Sequence, residues 1–203
     1  YQNGDTLPEG WWVEGGEKVW IEDGHIRVKA DPPEKNAPGY VCTVWYNQAF
    51  SGNVQVDFDA RVLSSTINSN NINFFLFYTD PNGRPLLDTK EDRADGAYRH
   101  YHALNGYIFT FLNAGPDKDN KARMRMRRCP GFELLTETYD YHCRENVTYH
   151  VTITRKDGQL TLAVDGTVYL KEKDPDPWPE GLIGLRTYHT DLWYDMITVK
   201  KLE

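Results

Sequence analysis

The sequence predicts an all-β protein, two antiparallel sheets packed as a jelly-roll-type sandwich with one concave sheet presenting a ligand-binding face. Three observations predict it. Short apolar/polar alternations with a period of two recur along most of the chain. Asp-Gly pairs stand between such runs at 23–24, 157–158 and 165–166, and Asp-Gly is a strong hairpin signal. Aromatic residues reach 13%, with 13 Tyr and 6 Trp, a mix that suits pleated, half-buried surfaces. No segment carries the apolar stripe of a helix.

Taken in order, 19–22 and 25–30 form a hairpin around Asp23-Gly24. Residues 53–63 alternate cleanly, with Val54, Val56, Phe58, Ala60 and Val62 on one side and Gln55, Asp57, Asp59 and Arg61 on the other. In 71–78, Ile72, Phe74 and Leu76 oppose Asn71, Asn73, Phe75 and Phe77. In 105–112, Tyr107, Phe109 and Phe111 oppose Ile108, Thr110 and Leu112. In 121–127, Arg123, Arg125 and Arg127 alternate with Met124 and Met126. Runs 149–155 and 159–164 pair through Asp157-Gly158, and Asp165-Gly166 leads into 167–170. Runs 181–189 and 193–202 complete the set. The stretches 31–39, 79–96 and 173–181, rich in Pro, Gly or Asp, read as loops.

The 203 residues, 39% apolar and 26% charged, fit a single domain over 1–203 with a buried core and exclude a disordered type. No apolar run is long enough to cross a membrane as a helix. With 23 basic against 30 acidic residues, the net charge of −7 argues against a nucleic-acid partner. We expect a monomer.

Three cysteines leave at least one thiol unpaired. Cys42, inside an apolar run, reads as a buried free thiol. A Cys129–Cys143 bridge would close a loop of about a dozen residues, worth roughly 3 kcal/mol in the loop-entropy model. Asn146-Val147-Thr148 is a glycosylation sequon. With the start at Tyr1, these features lead us to expect a processed, secreted or periplasmic protein.

Residues 121–128 hold five cationic side chains, leaving 18 basic against 30 acidic residues elsewhere, or −12. On a strand, Arg123, Arg125 and Arg127 project from one face about 6.5–7 Å apart and can grip carboxylate or sulfate groups. The plainer reading is a solvated face answered by Asp and Glu. A second cluster gathers Tyr98, Arg99, His100, Tyr101 and His102, in which a histidine can act as general base. His100 and His102 at i, i+2 can also share a metal, although no third ligand stands at a convincing spacing; stacked rim histidines are the alternative. A third cluster places Arg186 and Tyr188 on one strand face, where Tyr188 can donate or accept a proton or simply sit in water. Asn71 and Asn73, with Phe75 and Phe77, suggest a sugar platform; core packing of Phe75 explains it equally well. Carboxylates for a glycosidase pair can come from Glu133, Glu137, Asp57 or Asp59. The hydrolase elbow, zinc-protease, phosphate-loop and dinucleotide motifs are absent.

Asp92-Arg93, Gly96, Tyr98, Tyr101-His102, Asn105-Gly106-Tyr107, Ala122-Arg123-Met124-Arg125 and Pro130-Gly131-Phe132 together resemble the YesU-like family of the concanavalin A-like lectin/glucanase superfamily. Gly181, Gly184-Leu185-Arg186 and Trp193-Tyr194-Asp195 are similar to that family's last two strands. Cys129, where Asn is expected, departs from the pattern and with Cys143 suggests a bridge special to this chain. The resemblance covers about Val13 to Leu202. It implies a jelly roll with a sugar-facing sheet, and action on acidic plant or algal polysaccharide. It also implies a structural calcium at Asp195, or else a strand-end capping role for that residue, and no cofactor required for catalysis.

These readings converge on a polysaccharide lyase acting on a uronate-containing glycan by β-elimination. Arg123, Arg125, Asn71 and Asn73 would neutralise the carboxylate, with Arg186 and Tyr98 as further binding residues. His102 or His100 would be the base, and Tyr188 or Tyr107 the acid, or the base if its pKa is depressed. The alternatives are a glycoside hydrolase on the same fold, or a non-catalytic carbohydrate-binding module or lectin.

Overall fold

The computed structural model describes residues 7–67, 71–112 and 124–203. Among these, fourteen strands form two antiparallel sheets of seven. The front sheet runs in the order β1 (Trp11–Gly15), β4 (Val41–Ser51), β13 (Glu180–Tyr188), β6 (Ile72–Thr79), β7 (Asn105–Phe111), β8 (Met124–Cys129) and β9 (Glu133–Thr138). The back sheet runs in the order β12 (Thr167–Lys173), β11 (Gln159–Val164), β10 (Thr148–Lys156), β5 (Val54–Ser64), β14 (Thr190–Lys201), β3 (His25–Ala30) and β2 (Lys18–Glu22). The helical residues among those described are two 3-10 turns, Lys90–Arg93 and Tyr98–Tyr101. The all-β, two-sheet sandwich read from the alternation is the structure observed.

The period-two pattern decides which side chains fill the space between the sheets. Val54, Val56, Phe58, Ala60 and Val62 of β5 are all buried there, facing Ile72, Phe74 and Leu76 of β6, Tyr107, Phe109 and Phe111 of β7, and Met124 and Met126 of β8. Phe77 departs from the predicted face. A bulge lies between Leu76 and Thr79, Phe77 has a φ of +57°, and its ring turns into the inter-sheet core.

A second apolar cluster lies on the outer face of the front sheet. Trp12, Trp45, Phe75, Tyr78 and Ile108 pack there under Leu86, Tyr101 and Leu104 of the long connection between β6 and β7. Gly184 permits it: a Cβ at that position would lie 2.8 Å from the Trp45 ring.

A buried carboxylate pins the connection down. Glu14 of β1, 1% exposed, accepts from the indoles of Trp12 (3.3 Å) and Trp45 (2.9 Å), from the Tyr101 hydroxyl (2.8 Å) and from Arg93 Nη2 (2.8 Å) and Nε (3.0 Å). Arg93, 4% exposed, also donates to Thr89 Oγ1 and the Leu86 carbonyl. Gly15 N–H donates to the Ala94 carbonyl (3.0 Å), and the connection approaches so closely that a Cβ on Gly15 would lie 3.0 Å from the Asp95 carbonyl.

The expected disulfide does not form. All three cysteines are free and buried. Cys129 pairs with Gly106 at one end of β7 and packs in the outer cluster, where its sulfur accepts from the Tyr78 hydroxyl. Cys143 donates its N–H to Leu112 at the other end of β7 and packs between the sheets. Six residues of strand separate the two ends by about 20 Å, far beyond the roughly 7 Å Cα limit of a bridge. Sequence proximity misled because a hairpin and a return segment carry the two thiols to opposite faces.

Two outcomes follow. Arg93→Met removes the counter-charge from a buried carboxylate, and breaking such a pair costs about 3–5 kcal/mol; urea unfolding followed by tryptophan fluorescence is expected to show that loss. Thiol counting on protein unfolded without reductant is expected to find all three cysteines reactive.

Candidate functional site

The register of the front sheet aligns one residue from each strand into a polar row. Glu14 lies beside Thr43, Thr43 beside Arg186, Arg186 beside Asn73, Asn73 beside Thr110, Thr110 beside Arg125 and Arg125 beside Glu137. Neighbours in such a row are about 4.8 Å apart. The adjacent row, Trp12, Trp45, Gly184, Phe75 and Ile108, is covered by the connection between β6 and β7. The polar row lies at the margin of that cover, and a cavity of about 260 Å³ opens over it.

Asn71, Asn73 and Thr110 line the cavity as its polar floor. They are buried, at 8%, 3% and 7% exposure, and Asn71 Oδ1, Asn73 Oδ1 and Thr110 Oγ1 have no hydrogen-bond partner among the described residues. Buried polar atoms are nearly always paired, so three orphans lining one cavity mark a place where a ligand's hydroxyls can bind. Arg125, Arg127 and Arg186 supply positive charge. Arg186 is 2% exposed and fixed by donation from Nη1 to Thr43 Oγ1 (2.8 Å) and the Gly96 carbonyl (2.9 Å), with its guanidinium 4.7 Å from the Tyr98 ring centroid and 4.9 Å from that of Tyr101. Arg127 lies 4.0 Å over the Phe132 ring and donates to the Phe132 carbonyl; burial lowers its pKa, yet a guanidinium stays charged. Arg125 pairs with Glu137 at 3.2 Å. Tyr40, Tyr98, Phe132 and Tyr188 supply the aromatic walls.

Six sequence-predicted residues, Asn71, Asn73, Arg125, Arg186, Tyr98 and Tyr188, thus meet at one cavity. Arg123 lies outside the described residues. Sequence reasoning passed over Thr110 and Tyr40. The signal for Thr110 was a lone hydroxyl on the face of β7 shared with Ile108; Tyr40 gave none, because loop closure brings it in.

The proton-transfer candidates separate. His102 stands behind the cavity wall, its ring stacked on Phe132 at 3.9 Å and edge-on to Tyr98 at 4.7 Å, with Nε2 buried and without a partner among the described residues. Burial, then Arg186 and Arg127, holds its pKa below the ordinary histidine range. Tyr188 lines the cavity, and burial beside Tyr40 raises its pKa, which suits an acid and not a base. Burial pushes Tyr98 up to about 12. His100 does not reach the cavity; it pairs with Asp95 at 2.8 Å and borders a different depression. Tyr107 is also misplaced as a site residue. It faces the inter-sheet core, where its hydroxyl donates to Asp174 (2.6 Å) and accepts from Trp178 N–H (2.9 Å), because its parity on β7 is that of Phe109.

Asp195 lies on the back sheet, where it pairs with His25 at 3.2 Å and accepts the Met196 N–H at 2.7 Å. Among the described residues no group of three or more His, Cys, Asp or Glu side chains is placed to hold a metal ion. Asp57 and Asp59 contact His150 on the back sheet's outer face, the opposite side of the molecule. No carboxylate pair faces the cavity among the described residues.

A family model described as Domain of unknown function (DUF6250) matches residues 37–195. No curated protein sequence matches the chain. Among solved structures, a protein of unknown function with a galectin-like fold from Bacillus subtilis superposes with a TM-score of 0.74 at 17% identity, covering 94% of this chain and 89% of that one. The carbohydrate-binding module CBM66 from Bacillus subtilis gives 0.63 at 13% identity, covering 95% and 96%. The exoplasmic/lumenal domain of VIP36, in a Ca2+/Man3GlcNAc-bound form, gives 0.62 at 13% identity, covering 96% and 84%. At such identities the likeness establishes a lectin-type β-sandwich fold. The resemblance to the YesU-like family holds at the level of the fold, and the family model that matches is DUF6250.

The depressed His102 pKa has a checkable sign. The unfolded chain takes up a proton that the folded protein resists, so stability falls as pH drops through the unfolded value of about 6.5 and stops falling below the folded value. His102→Gln is expected to shrink the fall in urea midpoint between about pH 7.5 and about pH 5.

Proposed function

We propose that this chain, which belongs to the DUF6250 family, is a carbohydrate-recognition protein whose front-sheet cavity takes an acidic, uronate-type sugar of a plant or algal polysaccharide. The observation that carries this reading is one cavity combining three arginines with three buried amide and hydroxyl oxygens that have no partner among the described residues. A uronate offers the complement of both: a carboxylate for guanidinium groups and ring hydroxyls for Asn71, Asn73 and Thr110. The tyrosine and phenylalanine walls suit the apolar faces of a sugar ring. Sugar-binding neighbours on the same fold support a sugar ligand.

A catalytic extension is favoured by one feature, the protonated Tyr188 beside the arginines. In β-elimination the arginines stabilise charge as the C–H next to the carboxylate is deprotonated. The base takes that proton, the bond to the leaving oxygen breaks as the C=C bond forms, and Tyr188 protonates the leaving oxygen. His102, held neutral, is the nearest base by chemistry, but it reaches the cavity only past Phe132. Hydrolysis needs two carboxylates about 5–9.5 Å apart across the sugar, and the described lining offers none. Binding is therefore the primary reading and elimination the second.

Calorimetric titration with digalacturonate and with its neutral counterpart, digalactose, is expected to show binding of the first and little of the second. Arg127→Gln removes a charge-assisted contact worth about 1.5–3 kcal/mol, so affinity is expected to fall about tenfold or more. Equal binding of both sugars would overturn the acidic-ligand reading. Ultraviolet absorbance read on uronate polymers separates elimination, which raises it, from binding alone.

A further inference from the structure

The polar row of the front sheet continues past the cavity. Beyond Arg125 of β8 stands Glu137 of β9, the last strand of the sheet, and beyond Arg127 stands Leu134. Residues three apart on a regular strand point to opposite faces. Leu134 and Glu137 share a face because β9 carries a bulge. Arg127 pairs with Leu134 and Met126 with Thr136, so Leu135 is the extra residue, and it packs against the inter-sheet core. Bulges beside a site re-aim side chains. This one stands an apolar group, Leu134 at 43% exposure, and the Glu137 carboxylate together on a shelf next to two cavity arginines.

The three cavity arginines are not equivalent. Arg125 Nε donates to Glu137 Oε2 at 3.2 Å, so its charge is already answered. Arg186 donates to a hydroxyl and a backbone carbonyl, and Arg127 to a backbone carbonyl; neither has a carboxylate partner among the described residues. These two lie against Tyr98 and Phe132, whose rings meet edge-on at 5.3 Å. A ligand carboxylate there meets guanidinium groups whose charge is free. A carboxylate over Arg125 meets Glu137 on the same guanidinium, and like charges repel. A hydroxyl at that place donates to Glu137 and accepts from Arg125.

We propose that the β9 shelf is an outer subsite for a neutral sugar, and that Glu137 excludes a second carboxylate from it: the ligand is a uronate joined to a neutral sugar, not a run of uronates. Arg186 and Arg125 stand three strand spacings apart in the row, about 14 Å, which is room for more than one sugar ring. The uronate lies over Asn71, Asn73 and Thr110. Its neighbour reaches β9, where Leu134 takes an apolar ring face and the Arg125–Glu137 pair takes hydroxyls. Specificity is then built by an unfavourable contact as well as by favourable ones. The proposal rests on the uronate reading above and narrows it.

Four disaccharides of one linkage serve as probes in calorimetric titration: digalactose, digalacturonate and the two mixed forms with one acidic and one neutral ring. In the native chain the better mixed form is expected to bind about tenfold more tightly than digalacturonate. Glu137→Gln keeps an acceptor for Arg125 and removes the charge. It is expected to raise digalacturonate affinity about tenfold and to leave the mixed form within about twofold. Leu134→Ser is expected to weaken the mixed form about fivefold while galacturonate alone stays within about twofold. Both positions are exposed, and unchanged galacturonate binding shows that the cavity is intact. Digalacturonate binding as tightly as the mixed forms, or a preference that Glu137→Gln leaves unchanged, overturns the proposal while the uronate reading stands. A Leu134→Ser chain that binds the mixed form as the native chain does also overturns it. Acidic disaccharides that bind no better than digalactose sink the uronate reading, and the proposal falls with it.

Discussion

A carboxylate with four donor side chains around it, at 1% exposure, is a costly thing to bury, and Glu14 shows what the cost secures. Moving a carboxylate out of water is offset only when a counter-charge and hydrogen bonds replace the lost solvation. Arg93 and Tyr101 come from the connection between β6 and β7, and the indoles of Trp12 and Trp45 come from the sheet. Glu14 is satisfied only when that connection is docked in one position. An apolar contact would tolerate sliding; a multiply bonded ion pair does not. The docked position presents the Gly96 carbonyl to Arg186 Nη1 and stands Tyr98 against the same guanidinium. The cavity's deepest charge is thus oriented by an ion pair at the far end of the same cross-strand row.

That row also explains why the cavity lies where it does. The outer face of the front sheet carries an apolar row and a polar row side by side. Trp45, Phe75 and Ile108 demand a cover, and the connection supplies it. Asn73, Thr110 and Arg125 do not, and the cover ends over Arg186, which Gly96, Tyr98 and Tyr101 hold beside the cavity. The net charge of −7 is therefore a poor guide to the site, where arginines line the cavity and Glu137 answers Arg125 from the neighbouring strand. On an acidic body such a cavity attracts an anion by local contact rather than by a long-range field, which salt screens beyond about 8–10 Å.

Much of this was legible in the sequence wherever strict alternation held. The β5 run named its buried face residue by residue, and β8 separated its methionines from its arginines. Asn71, Asn73, Arg125, Arg186 and Tyr188 were readable because polar or charged groups on the second face of an aromatic strand are unusual for a solvated back, and Tyr98 because it stands in a cluster of Tyr, Arg and His. Failures occurred where a non-local fact decides. Phe77 changes face through a bulge that no alternation encodes. Tyr107 was read as an acid for the reaction, but parity with Phe109 sends it inward. Cys129 and Cys143 are close in sequence and at opposite ends of β7 in space. Glu14 drew no notice in the sequence, since its four donors lie as far as 87 positions away.

The same geometry orders the two functional readings. Binding an acidic sugar needs only what the cavity wall already holds: fixed guanidinium groups, orphaned oxygens and ring faces. Elimination needs in addition a base with a free path to the carbon next to the carboxylate. His102 has the right protonation state because burial and two arginines keep it neutral, but the stacked Phe132 ring stands between it and the cavity. Tyr188 has the path but the wrong pKa for a base, since burial raises it; a bound carboxylate, adding negative charge, raises it further. Catalysis by this site therefore requires Phe132 to move aside, and Phe132 is held by Arg127, which lies over its ring and donates to its carbonyl. A ligand carboxylate that drew Arg127 toward itself would loosen that hold. Substrate binding and exposure of His102 would then be one event, and without that movement the cavity is a binding site alone.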